Sequence, residues 1–200
     1  MNSDTSLPHH KSLRIPEFDY SQRGAYFVTI VTQDRKPLFG RIIDAEMDLD
    51  DVGKMVKEVW MAIPDHFPNV ELGEFVIMPN HVHGITSITV AATHASPLPR
   101  ISKGPMPGSI GAIIGSFKSA AAKRYREIRC NHENRLWQQN FYEHVIRNER
   151  DYKAIYDYIL PNPINWEKNE ELSISQVTPL SVTFRLSPNG QAQPSTWWFL

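Results

Sequence analysis

The sequence predicts an α+β fold: a four-stranded antiparallel sheet, two helices packed on one of its faces, and a further helix near the C-terminus. Apolar residues recur at steps of three and four in two long stretches, and four β-branched or aromatic runs surround them. The segments run strand, helix, strand, strand, helix, strand, then the added helix. Strand-helix-strand taken twice is the ferredoxin-like (RRM-like) arrangement. Only Pro79-Asn80 separates the two middle strands, so the second pairs back on the first as a hairpin.

Each element has its own local cause. Residues 1–22 are polar and weakly patterned and read as a flexible lead-in. Tyr26 to Thr32 is a β-branched and aromatic run, hence a strand. From Asp50 to Ile63 the apolar set Val52, Met55, Val56, Val59, Trp60 and Ile63 makes one buried helical stripe. Val70 to Met78 and His81 to Ile88 are strands on either side of a turn in which Pro79 presets φ and Asn80 suits the next position. Prolines and glycines over 89–108 break any pattern and predict a mobile loop. Ser109 is placed to cap a helix whose inward residues are Ile110, Ile113, Ile114, Phe117, Ala121, Tyr125 and Ile128. Phe141 to Ile146 is the fourth strand. Asn148 caps the last helix, which runs to about Leu160 with Asp151 in its first turn. One domain over 23–166 results, followed by an extension over 167–200.

Composition narrows the function classes. The formal net charge of −1 does not mark a nucleic-acid binder as a whole. The charges are nevertheless segregated: acids dominate between Lys36 and Glu74, bases between Arg100 and Arg150. An acidic half beside a basic half is compatible with an anionic polymer as partner. A single cysteine, Cys130, excludes an internal disulfide framework and a cysteine-rich zinc site. No apolar run reaches the roughly 20 residues of a membrane span, and the N-terminus is too polar for a secretory signal, so a cytoplasmic location is expected.

His81-Val82-His83 is the chemistry-bearing element. Alternate residues of a strand face the same side, so the two imidazoles aim at one point and form a platform for a metal. On the last helix Tyr152, Ile155, Tyr156 and Ile159 form the buried stripe, with Tyr158 off its centre. Asn162 lies four residues beyond Tyr158 and shares its face if the helix persists. Pro161 intervenes, lacks an N–H, and is expected to kink or stop the helix there. Tyr142, on a strand face with His144, is a rival nucleophile. Trp137 and Gln138 could stack on and hydrogen-bond a splayed base, while Lys118, Lys123, Arg126 and Arg129 could contact phosphates.

Taken together these pieces resemble one family. His81-Val82-His83 matches the histidine–hydrophobic–histidine (HUH) motif of single-tyrosine transposases, and the chain resembles their REP-associated branch. Tyr26-Phe27-Val28-Thr29, Val76-Ile77-Met78-Pro79-Asn80, Ser116-Phe117-Lys118-Ser119, Leu136 to Arg147, and Asp157-Tyr158-Ile159 with Asn162-Pro163 match as well, in order. The resemblance spans about Gly24 to Trp166. It implies DNA transposition or recombination by metal-dependent nicking and strand transfer. Tyr158 would attack single-stranded or hairpin DNA to give a 5′-phosphotyrosine, with Mg or Mn on His81, His83 and Asn162. Relatives outside this branch carry glutamine where Asn162 stands. The resemblance admits a monomer or a homodimer. Two other classes stay open: a catalytically inactive ferredoxin-like module that binds single-stranded nucleic acid, and a hydrolase of small phosphates that adds Glu74 or Asp157 to the histidines.

Overall fold

The computed structural model describes residues 22–89, 105–130 and 135–166. Nearly all of the expected lead-in, most of the 89–108 loop and the whole 167–200 extension lie outside the described residues. The elements are β1 (Gly24–Val31), a 3-10 turn (Gln33–Arg35), β2 (Gly40–Ile43), β3 (Glu46–Leu49), α1 (Asp51–Met61), α2 (Ile63–His66), β4 (Val70–Met78), β5 (His81–Ile88), α3 (Ile110–Arg129), β6 (Tyr142–Ile146) and α4 (Glu149–Ile159). The main sheet has the order β4-β5-β1-β6 with every pair antiparallel. That order is the ferredoxin-like one, so the fold class read from the pattern is the fold observed.

Strand parity divides the molecule into two apolar layers. Tyr26, Val28 and Ile30 of β1 and Val82 and Ile88 of β5 join the buried stripes of α1 and α3. Trp60 lies at the centre of this layer, edge-on to Phe117 with ring centroids 5.2 Å apart. Gly84 makes room for it: a Cβ there would come within 2.4 Å of the indole. The opposite parity, Phe27 and Ile85, packs on Ile155 and Ile159 of α4. The tyrosine-bearing helix therefore covers the sheet face that α1 and α3 leave free.

Helix caps follow the sequence. Asp50, Ser109 and Asn148 each accept from the backbone N–H three residues on. Ile128, expected inward, is 44% exposed. It lies in the last turn of a 20-residue helix, which at about 30 Å outruns the layer it packs on. The β2–β3 hairpin is an addition to the predicted order. Its strands are four residues long and half-exposed, too short for alternation to register, and its turn is Asp44-Ala45 rather than a glycine-bearing pair, with φ of 52° and 63°. Acidic and basic segments meet across the helical layer: Arg124 pairs with Glu58 at 2.7 Å and Arg129 with Asp50 at 3.8 Å. Among the described residues no helix is long and apolar enough to cross a membrane.

Candidate active site

β5 begins immediately after the Pro79-Asn80 turn and sends His81 and His83 toward the α4 face. Their ring centroids are 4.4 Å apart, and they are only 5% and 4% exposed. Each ring is held by an oxygen. His81 Nδ1 lies 2.7 Å from Asn80 Oδ1, and Asn80 Nδ2 donates to the Arg35 carbonyl at 3.1 Å. An amide oxygen only accepts, so His81 carries its proton on Nδ1 and leaves Nε2 as a lone pair. His83 Nδ1 lies 2.8 Å from Thr29 Oγ1, its register partner on β1. Phe27 stacks on His83 at 5.4 Å and 25°.

Burial decides the protonation state. It lowers His81 to about 3, with the nearby Arg35 charge adding to the effect. His83 is driven well below its ordinary value by burial and then by His81. Both imidazoles are neutral at physiological pH, the state in which a histidine ligates a metal. Two neutral rings whose Nδ1 atoms face oxygens fit a divalent cation: His81 presents Nε2 as an acceptor, and His83 does so in the tautomer with its proton on Nδ1. Among the described residues no group of three His, Cys, Asp or Glu gathers that could hold one. The carboxylate-completed site thus has no counterpart here, and Asp157 is tied to Lys153 at 3.0 Å.

Tyr158 arrives from 75 residues away. Ile155 and Ile159 seat α4 on Phe27 and Ile85. One position back from Ile159, the Tyr158 hydroxyl comes to 3.3 Å from His83 Nε2. Its ring stands edge-on to Phe27 at 6.2 Å and to His83 at 5.3 Å. Burial raises the phenol's pKa, and a hydrogen bond from the Asn162 side chain pulls it back. Pro161 interrupts α4 without turning the chain away: Leu160 is still right-handed helical, and residues 162–166 continue as helix, with Asn165 N–H bonded to the Pro161 carbonyl at 3.0 Å. Asn162 therefore stays beside Tyr158, with Nδ2 3.4 Å from the Tyr158 carbonyl. Trp166, one turn on, lies over His81 at a centroid distance of 5.8 Å.

Of the other candidates, Tyr142 shares the cluster of Phe27 and Tyr158, edge-on to Phe27 at 6.4 Å, as the register partner of Thr29 on β6. Tyr142 is half-buried, and its pKa is raised by burial and by Asp151. His144 pairs with Asp151 at 3.0 Å, tying β6 to the first turn of α4. Two of the expected DNA contacts have partners within the chain. Trp137 is 6% exposed, packed on Phe39 and Phe117, so its face is not open for a base. The Lys118 ammonium donates to the carbonyls of Gln138, Gln139 and Asn140, and burial lowers it to about 8. It holds the lead-in to β6 rather than projecting toward a phosphate. Gln138 is half-buried, its backbone N–H bonded to Val31. Lys123, Arg126 and Arg129 belong to α3, on the sheet face away from the histidines, and Arg129 is paired with Asp50. Thr29, Asn80 and Arg35 were not singled out from sequence. Thr29 could have been found by alternation from Phe27, whereas Asn80 reads as a turn residue and Arg35 has no local signal.

Comparison with known proteins gives a consistent picture. No protein-family model matches the chain. A Haemophilus influenzae protein named only as uncharacterized is 40% identical over 84% of this chain and 95% of its own length. A second protein from the same organism, named for the REP-associated tyrosine transposases, is 24% identical over 90% of both chains. A REP-associated tyrosine transposase of Escherichia coli is 42% identical over 55 residues, 24% of this chain and 33% of that one. Among solved structures, a REP-associated tyrosine transposase bound to a REP hairpin superposes with a TM-score of 0.51 at 22% identity, over 77% of this chain and 74% of that chain; it shares the fold. With the motifs in order, the fold in the expected topology and named relatives along the chain, the protein is similar to the REP-associated tyrosine transposases.

Proposed function

We propose that this chain cleaves and rejoins a strand of hairpin-bearing DNA, with Tyr158 as the nucleophile. The observation that carries the reading is the approach of the Tyr158 hydroxyl to 3.3 Å from His83 Nε2 within one chain, across 75 residues of sequence. Hairpin DNA as substrate is taken from the solved relative, which is bound to a REP hairpin. The phenol oxygen forms a bond to the scissile phosphorus while the bond from phosphorus to the 3′ oxygen breaks. The phenol gives up its proton, and the 3′ oxygen takes one up. A 5′-phosphotyrosine and a free 3′-hydroxyl remain, and the reverse attack rejoins strands without an external energy source.

The residues divide the work. Thr29 and Asn80 keep the Nδ1 atoms of His83 and His81 engaged, so that both Nε2 lone pairs face the reaction centre. Phe27 and Ile85 hold α4, and with it the phenol, against the sheet. Asn162 stabilises the phenolate that develops on Tyr158. A divalent cation, Mg or Mn, held by His81, His83 and Asn162 would neutralise charge on the phosphate oxygens. The Tyr158 hydroxyl lies 3.3 Å from the His83 Nε2 that a cation would use, so it must leave that contact before it attacks.

The test is a labelled REP hairpin oligonucleotide with single-stranded flanks, incubated with the protein and Mg or Mn and resolved under denaturing conditions. A shifted covalent species is expected from the parent and none from Tyr158→Phe. Equal adduct from both would remove Tyr158 from the reaction. A module that only binds nucleic acid would give salt-dependent binding with no adduct from either.

A further inference from the structure

The loop between β1 and β2 is clasped onto the turn that launches His81. Thr32 N–H donates to the Asn80 carbonyl at 2.9 Å, Leu38 and Phe39 N–H both donate to the Pro79 carbonyl at 2.9 and 3.1 Å, and Asn80 Nδ2 donates to the Arg35 carbonyl at 3.1 Å. At its tip Asp34 and Arg35 occupy the left-handed region in succession, with φ of 57° and 55°. That is a strained conformation for side chains of this size, and it persists only where the surroundings enforce it. Here those four hydrogen bonds enforce it. The result is an Arg35 backbone held next to the turn that launches His81, with the side chain exposed. Its charge is felt by the imidazole, and no ion pair holds it among the described residues. Lys36, its neighbour, is paired with Asp34 at 3.5 Å.

We infer that Arg35 binds the scissile phosphate through its non-bridging oxygens. Three features support this. The loop's anchor residue, Asn80, is also the residue that fixes the His81 ring, so the Arg35 backbone and the histidine platform keep a constant spacing. A planar guanidinium matches two phosphate oxygens, and its charge does not depend on pH. The bases of α3 lie across the sheet from the histidines, so Arg35 supplies positive charge where the chemistry needs it. The assignment rests on the strand-cleavage reading above.

The experiment couples the residue to one phosphate. The parent is first used to map the cleaved linkage in the REP hairpin oligonucleotide. A series of the same oligonucleotide, each with a single neutral methylphosphonate, is then titrated without divalent cation against the parent, Arg35→Gln and Arg35→Lys. Gln meets the same left-handed backbone that Arg does, so the loop is equally strained in the variant. Arg35→Gln is expected to bind the unmodified strand about tenfold more weakly and to lose about 0.7 to 0.9 from the slope of log affinity against log salt. The parent should lose a similar factor when the methylphosphonate sits at the cleaved linkage, and Arg35→Gln should lose nothing further from it. Arg35→Lys should keep the salt slope and lose part of the affinity. If Arg35→Gln binds like the parent, or its loss is coupled to a different linkage or to none, the assignment is wrong. Those results would leave adduct formation by the parent intact, whereas a parent that forms no adduct would refute the cleavage reading itself.

Discussion

Replacing Thr29 by valine keeps a β-branched shape in the centre of β1 and deletes one hydroxyl. That hydroxyl is 2.8 Å from His83 Nδ1, and Thr29 is 3% exposed, so water does not take its place. A buried N–H left without an acceptor costs about 1–3 kcal/mol. The added methyl returns about 0.8 kcal/mol of apolar burial. The net loss of stability is therefore about 0.2–2 kcal/mol if the ring keeps its proton on Nδ1. His83 can escape by moving the proton to Nε2, but that turns the atom facing Tyr158 and the cation site from acceptor into donor. Either route damages metal binding, by about 10- to 100-fold as for other partners that orient ligands. Mn affinity by calorimetry, urea unfolding and single-turnover adduct formation read the two effects separately, and Thr29→Ser should restore both. A Thr29→Val protein with parental stability and parental Mn affinity would refute the role given to this hydrogen bond.

Other perturbations follow from the same geometry. His81 has a folded pKa of about 3 against an ordinary 6.5, so between those values the unfolded chain binds a proton that the folded chain does not. Stability should be full above about pH 6.5 and fall as pH drops below it. Urea unfolding at about pH 7.5 and pH 5 should show the drop, reduced in His81→Gln; a parent equally stable at both would contradict a buried neutral imidazole. Gly84→Ala would drive a Cβ to 2.4 Å from the Trp60 ring and should destabilise by about 1–3 kcal/mol; an unchanged urea midpoint would show that the packing there is looser than described. Lys118→Met should lower stability by about 1–2 kcal/mol through three lost carbonyl contacts while leaving the salt dependence of DNA binding as in the parent. A reduced salt slope with unchanged stability would return Lys118 to the DNA-contact role.

The parts legible in the sequence were those with a strong period or a distinctive local chemistry. β4, the Pro79-Asn80 turn and β5 were placed to the residue, because an apolar run, a two-residue turn and a second apolar run admit one pairing. The caps Ser109 and Asn148 were equally plain. The β2–β3 hairpin was not, being short, acidic and turned by residues without a glycine signature. At the candidate site, spacing and resemblance pointed to His81, His83, Tyr158 and Asn162, which the structure brings together. Pro161 suggested a break that the backbone absorbs, because Leu160 stays helical and the next turn re-forms beyond it. The internal partners of Trp137 and Lys118 were not legible, because composition reports what a side chain could touch, not whether its surface is already taken. Trp137 is consumed by the core and Lys118 by carbonyls of its own chain. Arg35 was invisible because its importance lies in tertiary hydrogen bonds to the Pro79-Asn80 turn.

The central claim is that Tyr158 becomes covalently joined to DNA. The direct measurement is peptide mapping by mass spectrometry of the species formed with the REP hairpin oligonucleotide after nuclease digestion. A nucleotide mass on the peptide bearing Tyr158, absent in Tyr158→Phe and retained in Tyr142→Phe, is the predicted result. The modification on Tyr142, or no modified tyrosine in a preparation that binds the hairpin, would contradict it.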